Sequence, residues 1–146
     1  MIVLIPGRPY STVAARAATM LGLALAVVAL GLLLRFGGPH LSLPAPLVKY
    51  GGSVLWGTMV LFLVAALRPR LAPQRVAALA MVIAAVVELI RLVHTPWLDD
   101  FRLTLAGALL LGRIFSVWNI VAYAAGILLG MMVDQAINSI RVTRRS

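Results

Sequence analysis

An all-α bundle embedded in a membrane is the fold predicted for this chain of 146 residues, and three observations predict it. Hydrophobic residues make up 62% of the sequence and the mean hydropathy is +1.04, where a soluble domain is about 45–50% apolar. Three runs, 17–34, 50–67 and 114–133, carry no charge. Each is about as long as a helix must be to cross roughly 30 Å of hydrocarbon. A fourth run, 74–90, is interrupted by Arg75 at its start and Glu88 near its end.

The first helix is expected at about 12–35. It does not read as a cleaved signal peptide, because its apolar stretch is too long and ends at Arg35-Phe36 without a small-residue cleavage site. Pro39, Pro44 and Pro46 then predict an extended loop over 36–47. The second helix is expected at about 49–67, and Pro69 and Pro73 punctuate the turn after it. The third covers about 74–94. Residues 103–111 are apolar but too short to span, so 97–112 reads as an interfacial or re-entrant segment. The fourth helix is expected at about 114–138. The whole is a single transmembrane domain over 1–146: a four-helix bundle with that short segment between helices 3 and 4.

Small residues mark expected helix contacts. Ala122, Gly126 and Gly130 recur every four positions, a face that lets backbones approach where lipid supplies no hydrophobic drive. Internal packing is a better reading of it than a dimer face. Gly22 and Ala26 repeat the pattern more weakly on the first helix. Trp56, Trp97, Trp118, Tyr50 and Tyr123 suit interface or packing positions.

The formal charge is +9. With four crossings, Arg8, Arg16, Arg68, Arg70, Arg75, Arg141, Arg144 and Arg145 fall on one side. Arg35, Lys49, Arg91, Arg102 and Arg113 fall on the other. This bias predicts cytoplasmic termini. Topology and anionic-lipid anchoring account for the charge, and no nucleic-acid motif accompanies it. The chain has no cysteine, which excludes disulfides and thiolate metal sites. His94 has no second histidine within helical reach, so neither a metal nor a cofactor is expected.

Of four acidic residues, three lie in 88–102, ELIRLVHTPWLDDFR. Glu88 sits about 18 Å along its helix from Val76 at 1.5 Å per residue, inside the hydrocarbon. A charge there costs a few kcal/mol on insertion scales unless paired, and intramembrane ionisable residues tend to be functional. Arg91, three residues on, is the expected partner. Arg35, Lys49 and Arg102 are expected at the same depth. Glu88, Arg91, Arg102, Arg35, Lys49 and Asp99 therefore form the candidate site, a polar pocket open to the outer leaflet. The plainer alternative is a snorkelling Glu88–Arg91 pair followed by a solvated Asp99-Asp100 turn.

Glu88, Pro96, WLDDFR and LLLGRIFSVWNIVAYAAGILLG resemble the VanZ-like superfamily of small bacterial membrane proteins. The likeness is closer to a branch known as a domain of unknown function. GLLLR at 31–35, Lys49-Tyr50-Gly51 and Leu55-Trp56 extend it over about 30–130. Where that branch tends to carry an acid, a Gln and an Asp, this chain has Gly52-Ser53, Arg91 and Asn119. The resemblance implies a bacterial cytoplasmic membrane and a role at the cell envelope. Residues and resemblance together lead to the expectation of a protein that binds an anionic envelope molecule, a lipid phosphate or lipid-linked precursor. Arginine forks suit such groups. The alternatives are an accessory subunit of a larger membrane complex and an intramembrane enzyme using Glu88 as acid or base with His94 assisting. A transporter would need to oligomerise. Membrane lipids, a membrane-protein partner and a second copy are the partners in view.

Overall fold

The computed structural model describes residues 10–112 and 114–143, with the side chains of 10–12 and 141–143 left aside. Arg8, Arg113, Arg144 and Arg145 lie outside the described residues. Six helices follow one another: α1 Tyr10–His40, α2 Ala45–Leu67, α3 Pro73–Ile90, α4 Pro96–Leu103, α5 Leu105–Leu110 and α6 Val117–Thr143. Four of them contain stretches long and apolar enough to cross a membrane: Val13–His40, Ala45–Leu67, Pro73–Ile90 and Val117–Ile140. The chain is a multi-pass membrane protein with an all-α bundle fold, and 97–112 forms the two short helices rather than a fifth crossing.

The connection between α1 and α2 differs from the extended loop predicted over 36–47. Helix α1 runs on to His40 with Pro39 in its last turn, and α2 begins at Ala45. Pro44 and Pro46 occupy places that a helix tolerates, and Pro39, inside the last turn of α1, gives up one i→i−4 bond just before that helix ends. Pro46 lies in the first turn of α2, where no intrahelical N–H bond is lost, and Pro44 is its N-cap. The end of α1 is closed by Leu43 N donating to Gly38 O at 3.0 Å and Ser42 N donating to Pro39 O at 3.1 Å. These are the two bonds of a Schellman closure, with Ser42 in the left-handed position at φ 54°.

Helix α3 stops at Ile90, short of the 94 expected. Over residues 91–93 the N–H groups bond three residues back, Arg91 to Glu88, Leu92 to Leu89 and Val93 to Ile90, so the last turn tightens. Helix α6 begins at Val117, three residues later than expected.

Helix α2 is the centre of the bundle and packs against α1, α3 and α6, while α3 also packs on α6. Met20 and Ala24 of α1, Leu61, Phe62 and Ala65 of α2, Val76, Ala80 and Ala84 of α3, and Tyr123 and Ile127 of α6 make the core. The α6 glycine face is an internal contact, as the spacing suggested. A Cβ added to Gly126 would lie 1.9 Å from the Val54 carbonyl oxygen, and one on Gly130 would lie 2.9 Å from Leu61 Cδ2. Thr58 Oγ1 crosses the gap and donates to Gly126 O at 2.8 Å. Gly22 and Ala26 do not follow suit. Both are exposed, and nothing lies within 4 Å of a Cβ at Gly22. That side of α1 turns away from α2.

The end of the bundle with loop 68–72 is called the base here, and the end with α4 and α5 the head.

Two outcomes test this packing. Gly126→Leu should destabilise the bundle at or above the upper end of the roughly 1–3 kcal/mol that overpacking costs, measured by unfolding in mild detergent. Wild-type stability would mean that α2 and α6 do not touch there. Ser42→Gly should stabilise by about 1 kcal/mol, because glycine adopts the left-handed conformation without steric cost. A neutral or destabilising result would show that Ser42 is not in that conformation.

Candidate functional site

The Glu88 carboxylate, in the last turn of α3, is fully buried. Four donors surround it. Oε1 accepts from the Ser116 backbone N–H at 2.8 Å and from Asn119 Nδ2 at 3.2 Å. Oε2 accepts from Tyr123 Oη at 2.9 Å and pairs with Arg91 Nη1 at 2.7 Å. Ser116 immediately precedes α6, so Glu88 satisfies an N–H at the start of a helix to which it does not belong. An anion there also meets the positive end of the helix dipole. This explains why α6 starts where it does.

Arg91 comes one turn after Glu88 and fastens the chain that leads into α6. Nε donates to the Leu111 carbonyl, Nη1 to Ile114 O at 3.4 Å and Nη2 to Tyr123 Oη at 2.8 Å. Gly112 lies against the guanidinium with φ +68°, and a Cβ there would be 2.7 Å from Nη2. Glycine is required at this point both for its backbone and for the space. Trp56 stacks on Tyr123 from α2, with ring centroids 4.9 Å apart and tilted by 46°.

Ser53 Oγ donates to Asn119 Oδ1 at 3.3 Å and links α2 to the same network. Arg91 and Asn119 thus meet Glu88 directly, and Ser53 joins them through Asn119.

Arg102 belongs to a neighbouring but distinct arrangement. It is buried, where the sequence suggested an open polar pocket shared with Glu88. Nη2 donates to Ile90 O at 2.6 Å and Nη1 to Val93 O at 2.9 Å. It therefore closes the tightened turn at the C-terminus of α3, adding a second donor to Ile90 O beside the Val93 N–H and one to Val93 O. Asp99 Oδ1 accepts from Arg102 Nη1 at 2.8 Å and holds it there. His94 Nδ1 lies 3.4 Å from the same oxygen, on the exposed side. The helix α4 that carries these residues starts at Pro96, and the turn 91–95 folds it back over the end of α3.

Arg35 and Lys49 are exposed and join neither arrangement. Lys49 Nζ sits 5.1 Å from the centroid of the Tyr50 ring. The two cations share one level of the α1–α2 hairpin. A Cβ on Gly51 would touch Leu34 Cδ2 at 3.0 Å, and one on Gly38 would meet Val48. The candidate residues thus divide in three: Glu88 with Arg91, Asp99 with Arg102, and the exposed Arg35 and Lys49.

A second buried ion pair went unread in the sequence. Arg16 Nη2 and Asp134 Oδ2 meet at 2.5 Å, both almost fully buried, at the base of the bundle. Arg16 Nη1 also donates to Pro69 O at 2.8 Å and Leu71 O at 3.0 Å, which ties α1 and loop 68–72 to α6. Asn138 Nδ2 donates to Asp134 Oδ1 at 3.1 Å. One signal was available: Asp134 is the single acid outside 88–102, at the C-terminal end of a long apolar run. An acid so placed needs a cation, and Arg16 holds the matching position in the first run.

Chemically, the Glu88 network is a saturated clamp. Its carboxylate has a donor on every side. No group of three His, Cys, Asp or Glu among the described residues is arranged to hold a metal ion.

The family described as "Protein of unknown function (DUF2809)" matches residues 42–127. That span runs from the start of α2 through the Glu88 clamp to the glycine face of α6. No curated protein and no solved structure matches the chain.

The clamp is tested by a double-mutant cycle. Glu88→Gln leaves Arg91 without its counter-charge, and Arg91→Leu leaves the carboxylate short of one donor. Each single change should cost about 3–5 kcal/mol, as removal of one partner of a buried pair does. The double variant should cost less than their sum by about 1–3 kcal/mol, read from unfolding in mild detergent. Additivity within a few tenths of a kcal/mol would mean that the two side chains do not interact.

Proposed function

The chain belongs to the DUF2809 family, and from that premise we propose that it binds an anionic headgroup at the head of the bundle, with Arg35 and Lys49 as the groups that meet it. One observation supports this reading above others. Arg16, Arg91 and Arg102 are each committed to a carboxylate and to backbone carbonyls. Arg35 and Lys49 stand at one level on adjacent helices, exposed and without a carboxylate among the described residues. Cations placed so at a membrane surface attract lipid phosphates. Glu88, Arg91, Arg102 and Asp99 then serve as the frame that sets the shape of the head, not as ligands.

The same proposal includes the orientation. The arginine bias puts the base and both termini in the cytoplasm and the head at the outer leaflet of a bacterial cytoplasmic membrane. The ligand class that fits is a lipid phosphate or a lipid-linked envelope precursor, in keeping with the wider VanZ-like resemblance. A second reading, an accessory subunit of a membrane complex, draws on the outward side of α1, where Ala18, Gly22 and Ala26 are exposed. The reading of Glu88 as a catalytic acid or base draws nothing from a carboxylate already met by four donors.

Native mass spectrometry of the purified protein with added phosphatidylglycerol or phosphatidylcholine tests the reading. The wild type should retain phosphatidylglycerol in preference. Arg35→Gln and Lys49→Gln should each weaken that retention about five-fold, from roughly 1 kcal/mol per surface cation. Unchanged retention in the double variant would end the proposal. A fixed protein partner in place of lipid would favour the accessory-subunit reading.

A further inference from the structure

We infer that α4 and α5 lie in the headgroup layer as an interfacial anchor, with their apolar edge in the lipid and their acidic edge in water. Depth comes first. Helix α3 has 18 residues. At 1.5 Å each they cover about 27 Å, close to the roughly 30 Å of a hydrocarbon core. Its last turn therefore reaches the hydrocarbon boundary with little to spare. Five residues separate that end from the start of α4, and α6 re-enters at Val117. The segment between them is held at the boundary by its own tethers.

The cap on α3 holds the segment at this depth. Ile90 O, which also accepts from the Val93 N–H, and Val93 O take the guanidinium of Arg102, a residue that is 2% exposed. The cap also pins α4 to α3, so the short helix cannot drift away from the boundary.

The exposed side chains have the matching distribution. Trp97 and Phe101 stand one turn apart on α4, and Leu105, Leu110, Ile114 and Trp118 continue the apolar surface toward α6. At 3.6 residues per turn Phe101 lies about 40° around the helix from Trp97, while exposed Asp100 lies at about 300° and Asp99 at about 200°, on the edge shared with His94. An amphipathic segment with tryptophan on one edge and charge on the other lies in the plane of the interface. Helix α5 stays on this plane because Gly107 packs directly on the α4 backbone: a Cβ there would fall 2.0 Å from Phe101 O. The occupant of this surface is the bilayer itself, at the level of the glycerol backbone and first acyl carbons. The inference does not depend on the binding role of Arg35 and Lys49.

The chain has three tryptophans, which makes depth measurable. The double variant Trp56→Phe/Trp118→Phe leaves Trp97 as the single reporter, and Trp56→Phe/Trp97→Phe leaves Trp118. Trp56 Nε1 has no hydrogen-bond partner among the described residues, so phenylalanine there breaks no bond. The full chain is reconstituted into phosphatidylcholine vesicles with bromine on shallow or on deep acyl carbons. Both reporters should be quenched more by the shallow label than by the deep one, and little by iodide. Stronger quenching by the deep label would make the segment re-entrant and overturn the inference. Strong iodide quenching with none by lipid would make it a water-exposed cap, and loss of all quenching would place a protein over it; either also overturns it. Should a double variant fail to fold, the difference between wild type and Trp97→Phe supplies the same comparison.

Discussion

A carboxylate does not stay charged inside a membrane without donors, and Glu88 has four. Much of the head follows from that requirement. The Ser116 N–H must face Glu88, which fixes where α6 begins. Asn119 and Tyr123, one and two turns into α6, must face the same way, which fixes the rotation of that helix. Arg91 neutralises the charge and still has donors left for the carbonyls of Leu111 and Ile114, which fixes the path of the chain between α5 and α6. Gly112 is the local consequence, since neither its backbone nor the guanidinium beside it leaves room for a side chain.

Helix α6 shows how one rotation serves several contacts. Its buried positions are 119, 122, 123, 126, 127, 130 and 134, a single stripe at helical spacing. Tyr123 and Asp134 are eleven residues apart, about three turns and 16 Å along the axis, and so share a face. The stripe is polar at both ends and smallest in the middle. Its head end meets Glu88 on α3, its glycines admit the backbone of α2, and Asp134 meets Arg16 on α1. A single helix therefore registers the other three. A turn of α6 that favoured one contact would spoil the others.

The parts of this arrangement that were legible in the sequence are those with local causes. Span length and hydropathy place four membrane helices, and an i,i+3 spacing joins Glu88 to Arg91. A four-residue period of small residues marks the α2–α6 contact. The helix ends around 36–47 were less legible: Pro44 and Pro46 look like breakers in sequence but cap and open α2, and Pro39 falls in the last turn of α1, so the helix stops soon after it instead of before it. The remaining contacts have nonlocal causes. Arg16 and Asp134 are 118 residues apart. The role of Arg102 depends on a chain reversal at 91–95 that brings α4 over the carbonyls of α3. Ser116, Asn119 and Tyr123 are neutral, and nothing in their spacing announces that all three donate to one acid. The glycine pattern on α1 was legible but misleading, since Gly22 and Ala26 face outward.

The use of ion pairs in so apolar a bundle has a physical reason. In water, burial of leucine would draw the helices together. In lipid it does not, because acyl chains are as apolar as leucine and one helix face is nearly as good as another. The choice of neighbour must come from close fit and from polar groups that find their partners in one arrangement only. Both devices are present, and they divide the work by depth: glycines in the middle of α6, where a charge would be most costly, and ion pairs nearer the two ends, where it costs less. A buried pair adds little net stability over apolar residues of the same volume, yet mispairing leaves an uncompensated charge and costs several kcal/mol. The pairs Glu88–Arg91 and Arg16–Asp134 thus act mainly against wrong arrangements. Three of the four acids in the chain are matched to arginines in this way, with Asp99–Arg102 the third. Among the other basic residues whose side chains are described, Arg35, Lys49, Arg68, Arg70 and Arg75 are exposed.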